Sequence, residues 1–171
     1  NGANAWEMVT VQDYIYNAWP VIDATFRYSI FLYGALAAHA RAGRLVVRLK
    51  GGDPFLFGRG GEEGAALARA RVPFEVVPGV SSALAAPAYA GIPLTHRGLS
   101  SSVTIVAGRA GRAGRGAGAE EPDWELLAHA AGTLVILMGA RAFPRIAARQ
   151  LRAGLAPATP LAAGRRGTWP R

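Results

Sequence analysis

The sequence predicts an α/β fold with mainly parallel strand pairing. Three observations carry that prediction. From residue 34 onward, short apolar runs alternate with stretches of helical composition, a pattern that builds βαβ units. The run at 45–49 shows no polar alternation except its arginine, as expected of a strand covered on both faces. A glycine-bearing turn follows three of the apolar runs: Gly51-Gly52-Asp53, Pro78-Gly79 and Met138-Gly139.

The elements follow in order. Residues 1–33 are aromatic-rich, with no clear period, and receive no assignment. Residues 34–42 read as the end of a helix stopped by Gly43. Residues 45–49 (LVVRL) read as a strand. Residues 62–71 (EEGAALARAR) read as a helix whose first-turn acids suit the helix dipole. VPFEVVPG is a short strand ending at Pro78-Gly79. Ser81 is a suitable N-cap for the next helix, which Pro87 should kink or shorten. Residues 91–98 (GIPLTHRG) form a punctuated connector, and 101–108 (SSVTIVAG) another strand. RAGRAGRGAGAEEP is low in complexity and is predicted to be a mobile loop. DWELLAHA follows as a helix capped by Asp123, then TLVILMG as a buried strand, then AFPRIAARQLRAG as an amphipathic helix closed by Gly154.

Composition narrows the chemistry. The absence of cysteine excludes a disulfide framework, thiolate chemistry and a Cys-ligated metal. His39, His96 and His129 show no metal spacing, so no metal site is expected. The net charge is +8, and Lys50 is the only lysine among nineteen basic residues. Arginine pairs bidentately with carboxylates and phosphates, which admits nucleic acid, acidic lipid or an acidic small molecule as partner. A solvated arginine-rich surface explains the same charge. No run is long and apolar enough to span a bilayer, and no signal-peptide pattern is present. A cytoplasmic protein is the expectation. A chain beginning at Asn1 is also expected to be a piece of a longer gene product.

The stretch RLKGGDPFLFGRGGEE (residues 48–63) places five glycines in sixteen residues at a predicted strand end. Glycine costs conformational entropy there, so something should require the close approach that a missing Cβ permits. Open α/β sheets bind ligands outside the carboxyl ends of their strands. The three glycine turns can therefore line one crevice, or can merely turn the chain.

Four strings decide between these readings: VVRLKGGDPFLFGRGGEE, PFEVVPGVSSALAAPAYAGIPLTHRG, SSVTIVAG and GTLVILMG. Together they resemble the tetrapyrrole (corrin/porphyrin) methylase family over residues 34–168. Within it they look like the branch that C-methylates uroporphyrinogen III at the entry to sirohaem and cobalamin synthesis. The resemblance implies a two-domain α/β enzyme, a homodimer, with S-adenosylmethionine folded into the cleft between domains. Residues 34–97 would form part of the N-terminal domain and 98–171 part of the C-terminal one, with 1–33 an unassigned leader. Carried over by motif, Gly51, Gly52 and Asp53 would meet the cofactor's methionine part, with Leu56 packing nearby. Ser81 and Ser82, Met138 and Gly167 stand at the family's other cofactor positions. Ser81 also serves as a cap, Met138 as core and Gly167 as a turn on a plain reading of the residues.

Two departures stand beside this. Residues 1–33 contain nothing like the family's opening G-x-G-P-G-D loop, and the chain stops before the last strands of the second domain. The fold is thus expected to be incomplete at both ends, and the chain a poor catalyst. The implied chemistry is in-line displacement on a sulfonium by an electron-rich pyrrole carbon, for which the protein supplies position and a dry cleft. That matches a sequence without a Ser-His-Asp set or carboxylate pair, so no catalytic residue is assigned. Arg59, Arg97 and the RAGRAGR loop are candidates, by charge alone, to face a polycarboxylate substrate. Two rivals remain: a methylase of the same fold acting later on a corrin ring, and RNA binding by the Arg-Gly segment. The segment lacks aromatic interleaving, and no nucleic-acid or membrane partner is expected.

Overall fold

A computed structural model describes residues 25–108, 121–130 and 132–164. The first part of the leader, the Arg-Gly stretch at 109–120 and Gly167 lie outside the described residues. The chain groups into two units, Asn1–Gly79 and Val80–Arg171.

In the first unit, helix α1 spans Thr25–Arg41, reaching back into the segment that carried no sequence assignment. Gly43 ends it at φ +78°, as expected. The Arg44 amide donates to His39 O at 3.3 Å and the Gly43 amide to Ala40 O at 3.0 Å, which together satisfy the last carbonyls. Among the described side chains of α1, Leu36 and Ala37 are the buried ones, and the helix packs on α2, Gly60–Arg69. Arg41 closes the pair by donating to Ala70 O at 2.8 Å. Helix α2 starts two residues before the predicted point. Arg59 turns left-handed at φ 62° to cap it, and the Gly60 amide donates to Pro54 O at 2.9 Å.

The strands predicted at 45–49 and 72–77 are not formed. Neither segment joins a ladder among the described residues. Leu45 is 65% exposed and Val77 76%. An apolar run of this kind holds as a strand only between covering layers and hydrogen-bonded neighbours, and the described residues supply neither.

In the second unit, helix α3 spans Ser82–Tyr89. Buried Ser81 caps it, its hydroxyl accepting from the Ala83 amide at 3.2 Å. Pro87 lies inside, and the helix stops two residues later, where Gly91 turns at φ +70°. Strands β1 (Val103–Ala107) and β2 (Thr133–Leu137) pair in parallel, Val103 opposite Thr133 through Ala107 opposite Leu137. A parallel pair needs a long crossover, and residues 108–132 provide it with helix α4, Trp124–Ala128. The strands are half-buried along their length, where a buried β2 was expected. They form a two-stranded sheet among the described residues, so one edge of each strand has no strand partner there.

Helix α5, Phe143–Arg152, packs on α4. Trp124 and Ile146 are the largest fully buried side chains. Ile146 and Gln150, one turn apart, are the buried residues of α5, as the amphipathic pattern requires. Asp123 accepts from the Leu126 amide at 2.9 Å, the predicted cap of α4. Polar groups frame this core. The Trp124 indole donates to Glu121 at 2.9 Å, Arg145 pairs with Glu121 at 2.7 Å, and Arg149 donates to Glu125 at 2.7 Å. The Trp124 hydrogen bond, followed by that of Arg145, holds the Glu121 carboxyl below its ordinary range. The architecture is α/β.

Candidate active site

The glycine-rich stretch of the first unit is organised by one carboxylate. Asp53 Oδ1 accepts from the Phe55 amide at 2.9 Å and the Leu56 amide at 3.0 Å. Its Oδ2 accepts from the Gly79 amide at 3.3 Å. One side chain thus folds its own loop and ties it to the Pro78-Gly79 turn. The Phe55 amide, then the Gly79 amide, hold the Asp53 carboxyl below the ordinary aspartate value of 3.8.

A depressed folded value means stabilisation that is complete above 3.8 and disappears as pH falls through the folded value. Asp53→Asn should therefore melt below wild type near neutral pH. The difference should shrink as pH drops below 3.8, measured by thermal unfolding across an acid series. A difference that stays constant into acid would detach Asp53 from the loop.

The glycines divide by reason. Gly52 sits at φ +74°, a backbone conformation that suits glycine. A Cβ on Gly58 or Gly60 would meet Pro54 O at 2.5 Å, and one on Gly79 would meet Gly52 O at 2.3 Å. These residues are glycine because the protein's own backbone approaches them. Gly51 differs. It is exposed, has no positive φ, and a Cβ there would meet nothing within 4 Å. Among the described residues, neither its amide nor that of Gly52 has a hydrogen-bond partner. The fold gives no reason for bare backbone at Gly51, whereas an approaching ligand would.

The second unit holds a comparable strand-end feature. The Gly108 amide donates to Leu137 O at 2.7 Å, and a Cβ on Gly108 would lie 2.5 Å from Gly139 Cα. Two glycines thus let the ends of β1 and β2 close on each other. Between Leu137 and Gly139, Met138 adopts φ 56° and is 53% exposed. Such a backbone costs on the order of 1–3 kcal/mol for a residue with a side chain, and here it turns an apolar side chain outward. A side chain that only filled core would not stand there.

The structure places Gly51, Gly52, Asp53 and Leu56 together in the first unit, with Leu56 half-buried under the Asp53 bond. In the second, Ser81 is buried in its capping role while the neighbouring Ser82 is exposed. Arg59 is exposed at the α2 N-terminus and pairs with Glu62 at 3.2 Å. Arg97 is exposed in the tight turn closed by the His96–Ser100 bridge. Sequence reasoning missed the part of Gly79, whose amide and missing Cβ join the two loops. Among the described residues no cluster of His, Cys, Asp or Glu could hold a metal ion, and no helix is long and apolar enough to cross a membrane.

Comparison with known proteins gives this geometry a family. An S-adenosyl-L-methionine-dependent uroporphyrinogen III methyltransferase of Methanosarcina barkeri is 50% identical over 133 residues, covering 78% of this chain and 51% of that protein. A siroheme synthase of Tolumonas auensis is 51% identical over 133 residues, 27% of its own length. The chain thus spans about half the length of the first relative and about a quarter of the second. Among solved structures, a uroporphyrin-III C-methyl transferase from Thermus thermophilus, complexed with S-adenyl homocysteine, superposes with a TM-score of 0.60 at 47% identity. It covers 74% of this chain and 52% of its own. A cobalt precorrin-4 methyltransferase reaches a TM-score of 0.64 at 27% identity over 85% of this chain and 60% of its own. The family model for tetrapyrrole (corrin/porphyrin) methylases matches residues 32–171, and the chain belongs to that family.

Proposed function

We propose that this chain binds S-adenosylmethionine and serves the C-methylation of uroporphyrinogen III, on the path to sirohaem and cobalamin. The observation that carries the reading is Gly51: exposed backbone with no internal reason to be glycine, in a loop held open by Asp53. A zwitterionic methionine end can hydrogen-bond such backbone without a side chain intervening. The cofactor would bring a methyl group on an electrophilic sulfonium. This chain's part is to hold, orient and keep water away. Gly51 and Gly52 would bind the amino-acid end, and Asp53 would keep their loop in shape. Leu56, Ser82 and outward-facing Met138 would supply further contacts. Ser81 and Gly167 complete the proposed set, Ser81 through the helix it caps.

The rest of the reading follows from the family. A tetrapyrrole polycarboxylate gives the exposed Arg59 and Arg97 an acidic partner. A homodimer and a cytoplasmic setting belong to the same proposal. So does a boundary between family domains at 97/98, inside the punctuated connector 91–98 and distinct from the division of the chain at Gly79/Val80. The likeness to the cobalt precorrin-4 methyltransferase favours a second reading, methylation of a corrin ring. Its lower identity places it behind the first.

Incubation with uroporphyrinogen III and methyl-labelled S-adenosylmethionine should transfer label to the tetrapyrrole fraction. Transfer should exceed that of a control without the chain. Label moving to a corrin substrate instead would select the second reading. No label with either substrate would remove the transfer function.

A further inference from the structure

Lys50 is the single lysine among nineteen basic residues, and it directly precedes Gly51. Its side chain is only 11% exposed, as is that of Glu63. Nζ donates to Glu63 Oε2 at 2.9 Å and also to the Gly58 carbonyl. Glu63 lies in the first turn of α2, so one ammonium ties the beginning of the glycine loop to its far end. The gripped carbonyl belongs to a residue flanked by Phe57 at φ 55° and Arg59 at φ 62°. Two left-handed residues with side chains persist only where the surroundings over-determine them. Lys50 is a part of those surroundings.

Charge alone does not explain this lysine. Arg48 Nε already approaches Glu63 Oε1 at 3.4 Å, and arginine fills the other eighteen basic positions of the chain. An ammonium is a compact point charge with three rotatable donors, whereas a guanidinium presents a rigid planar fork. From the tip of one stem the ammonium's donors reach both a carboxylate and a backbone carbonyl, free of the fixed angles that a planar fork imposes. We propose that Lys50 is a positioning residue for the cofactor. By holding the Gly58 carbonyl it sets the curve of the loop and, through it, the Gly51 backbone offered to the amino-acid end of the ligand. The inference rests on the proposed cofactor reading and says which residue shapes that site.

The test compares two ligands, S-adenosylhomocysteine and methylthioadenosine, which lacks the amino-acid portion. Both are titrated calorimetrically into wild type and Lys50→Arg, with folding checked by circular dichroism. Lys50→Arg should weaken S-adenosylhomocysteine by about tenfold or more, since small misplacements of a positioned group carry penalties of this order or larger. Methylthioadenosine should bind within about twofold of wild type. A merely structural lysine would lower both alike, through the folded fraction. If Lys50→Arg does not fold, Lys50→Met gives the same comparison, because Arg48 stays beside the Glu63 carboxylate and leaves it paired. Unchanged S-adenosylhomocysteine binding in a folded variant, or equal losses for both ligands, overturns the role of Lys50. Wild type that binds neither ligand overturns the cofactor reading beneath it.

Discussion

Trp124→Ala should cost about 3–5 kcal/mol and bring the second unit close to unfolding. Trp124 is 1% exposed, and Ile146 on the helix packed against it is 0% exposed. Few other described side chains of this unit are buried, so the void has little around it that can collapse. The indole also donates to Glu121, which Arg145 holds from the other side. Removing the ring therefore takes away packing and one polar tie together. In a unit of this size each kilocalorie moves the melting temperature by about 4–8 °C, so thermal circular dichroism should show a fall well above about 10 °C. Trp124→Phe keeps most of the apolar surface and should lose much less. A Trp124→Ala protein melting within a few degrees of wild type would show that the α4–α5 pair does not hold the unit together.

Gly79→Ala should destabilise the first unit by about 1–3 kcal/mol, the range for forcing atoms into a packed site. The added Cβ would stand 2.3 Å from Gly52 O and 3.1 Å from Gly52 C. Backbone cannot swing aside as a flexible side chain does. The loop must shift, and with it the 3.3 Å bond from the Gly79 amide to Asp53. Gly61→Ala is the matched control. Its Cβ would meet nothing within 4 Å, and in the first turn of α2 alanine should be neutral or favourable. Equal stability of the two variants in urea unfolding would mean that the Gly79 contact yields freely.

The features legible in the sequence are those whose chemistry is local. Ser81 and Asp123 cap helices because a short side-chain oxygen reaches an amide two or three residues on. Gly43 and Gly154 end helices because they accept positive φ. Strands β1 and β2 form where apolar β-branched runs find each other in parallel. The apolar runs at 45–49 and 72–77 look no different in composition, yet no ladder forms there, since pairing depends on a neighbour that a local window does not contain. The start of α1 within the aromatic-rich leader was likewise hidden, because that segment shows no clean period.

Within the site, the motif located the loop but could not sort its glycines. Whether a glycine serves backbone conformation, internal packing or open space is a tertiary fact, and it separates Gly52 from Gly79 and both from Gly51. The tie from Asp53 to Gly79 spans twenty-six residues and leaves no periodic trace. Lys50 did leave one, as the lone lysine in an arginine-rich chain, but its grip on Gly58 exists only in the folded loop.

Gly51→Ala tests the central claim most directly. Alanine meets no atom within 4 Å at this position and no positive φ, so it should leave stability unchanged or raise it by about 0.4–1 kcal/mol through the unfolded chain. Calorimetric titration with S-adenosylhomocysteine should nevertheless show affinity reduced by about tenfold or more, some 1.4 kcal/mol, because the new methyl group stands where the ligand must approach. Gly51→Ala that melts at or above the wild-type temperature and binds S-adenosylhomocysteine as tightly as wild type would contradict the assignment of this loop to the cofactor.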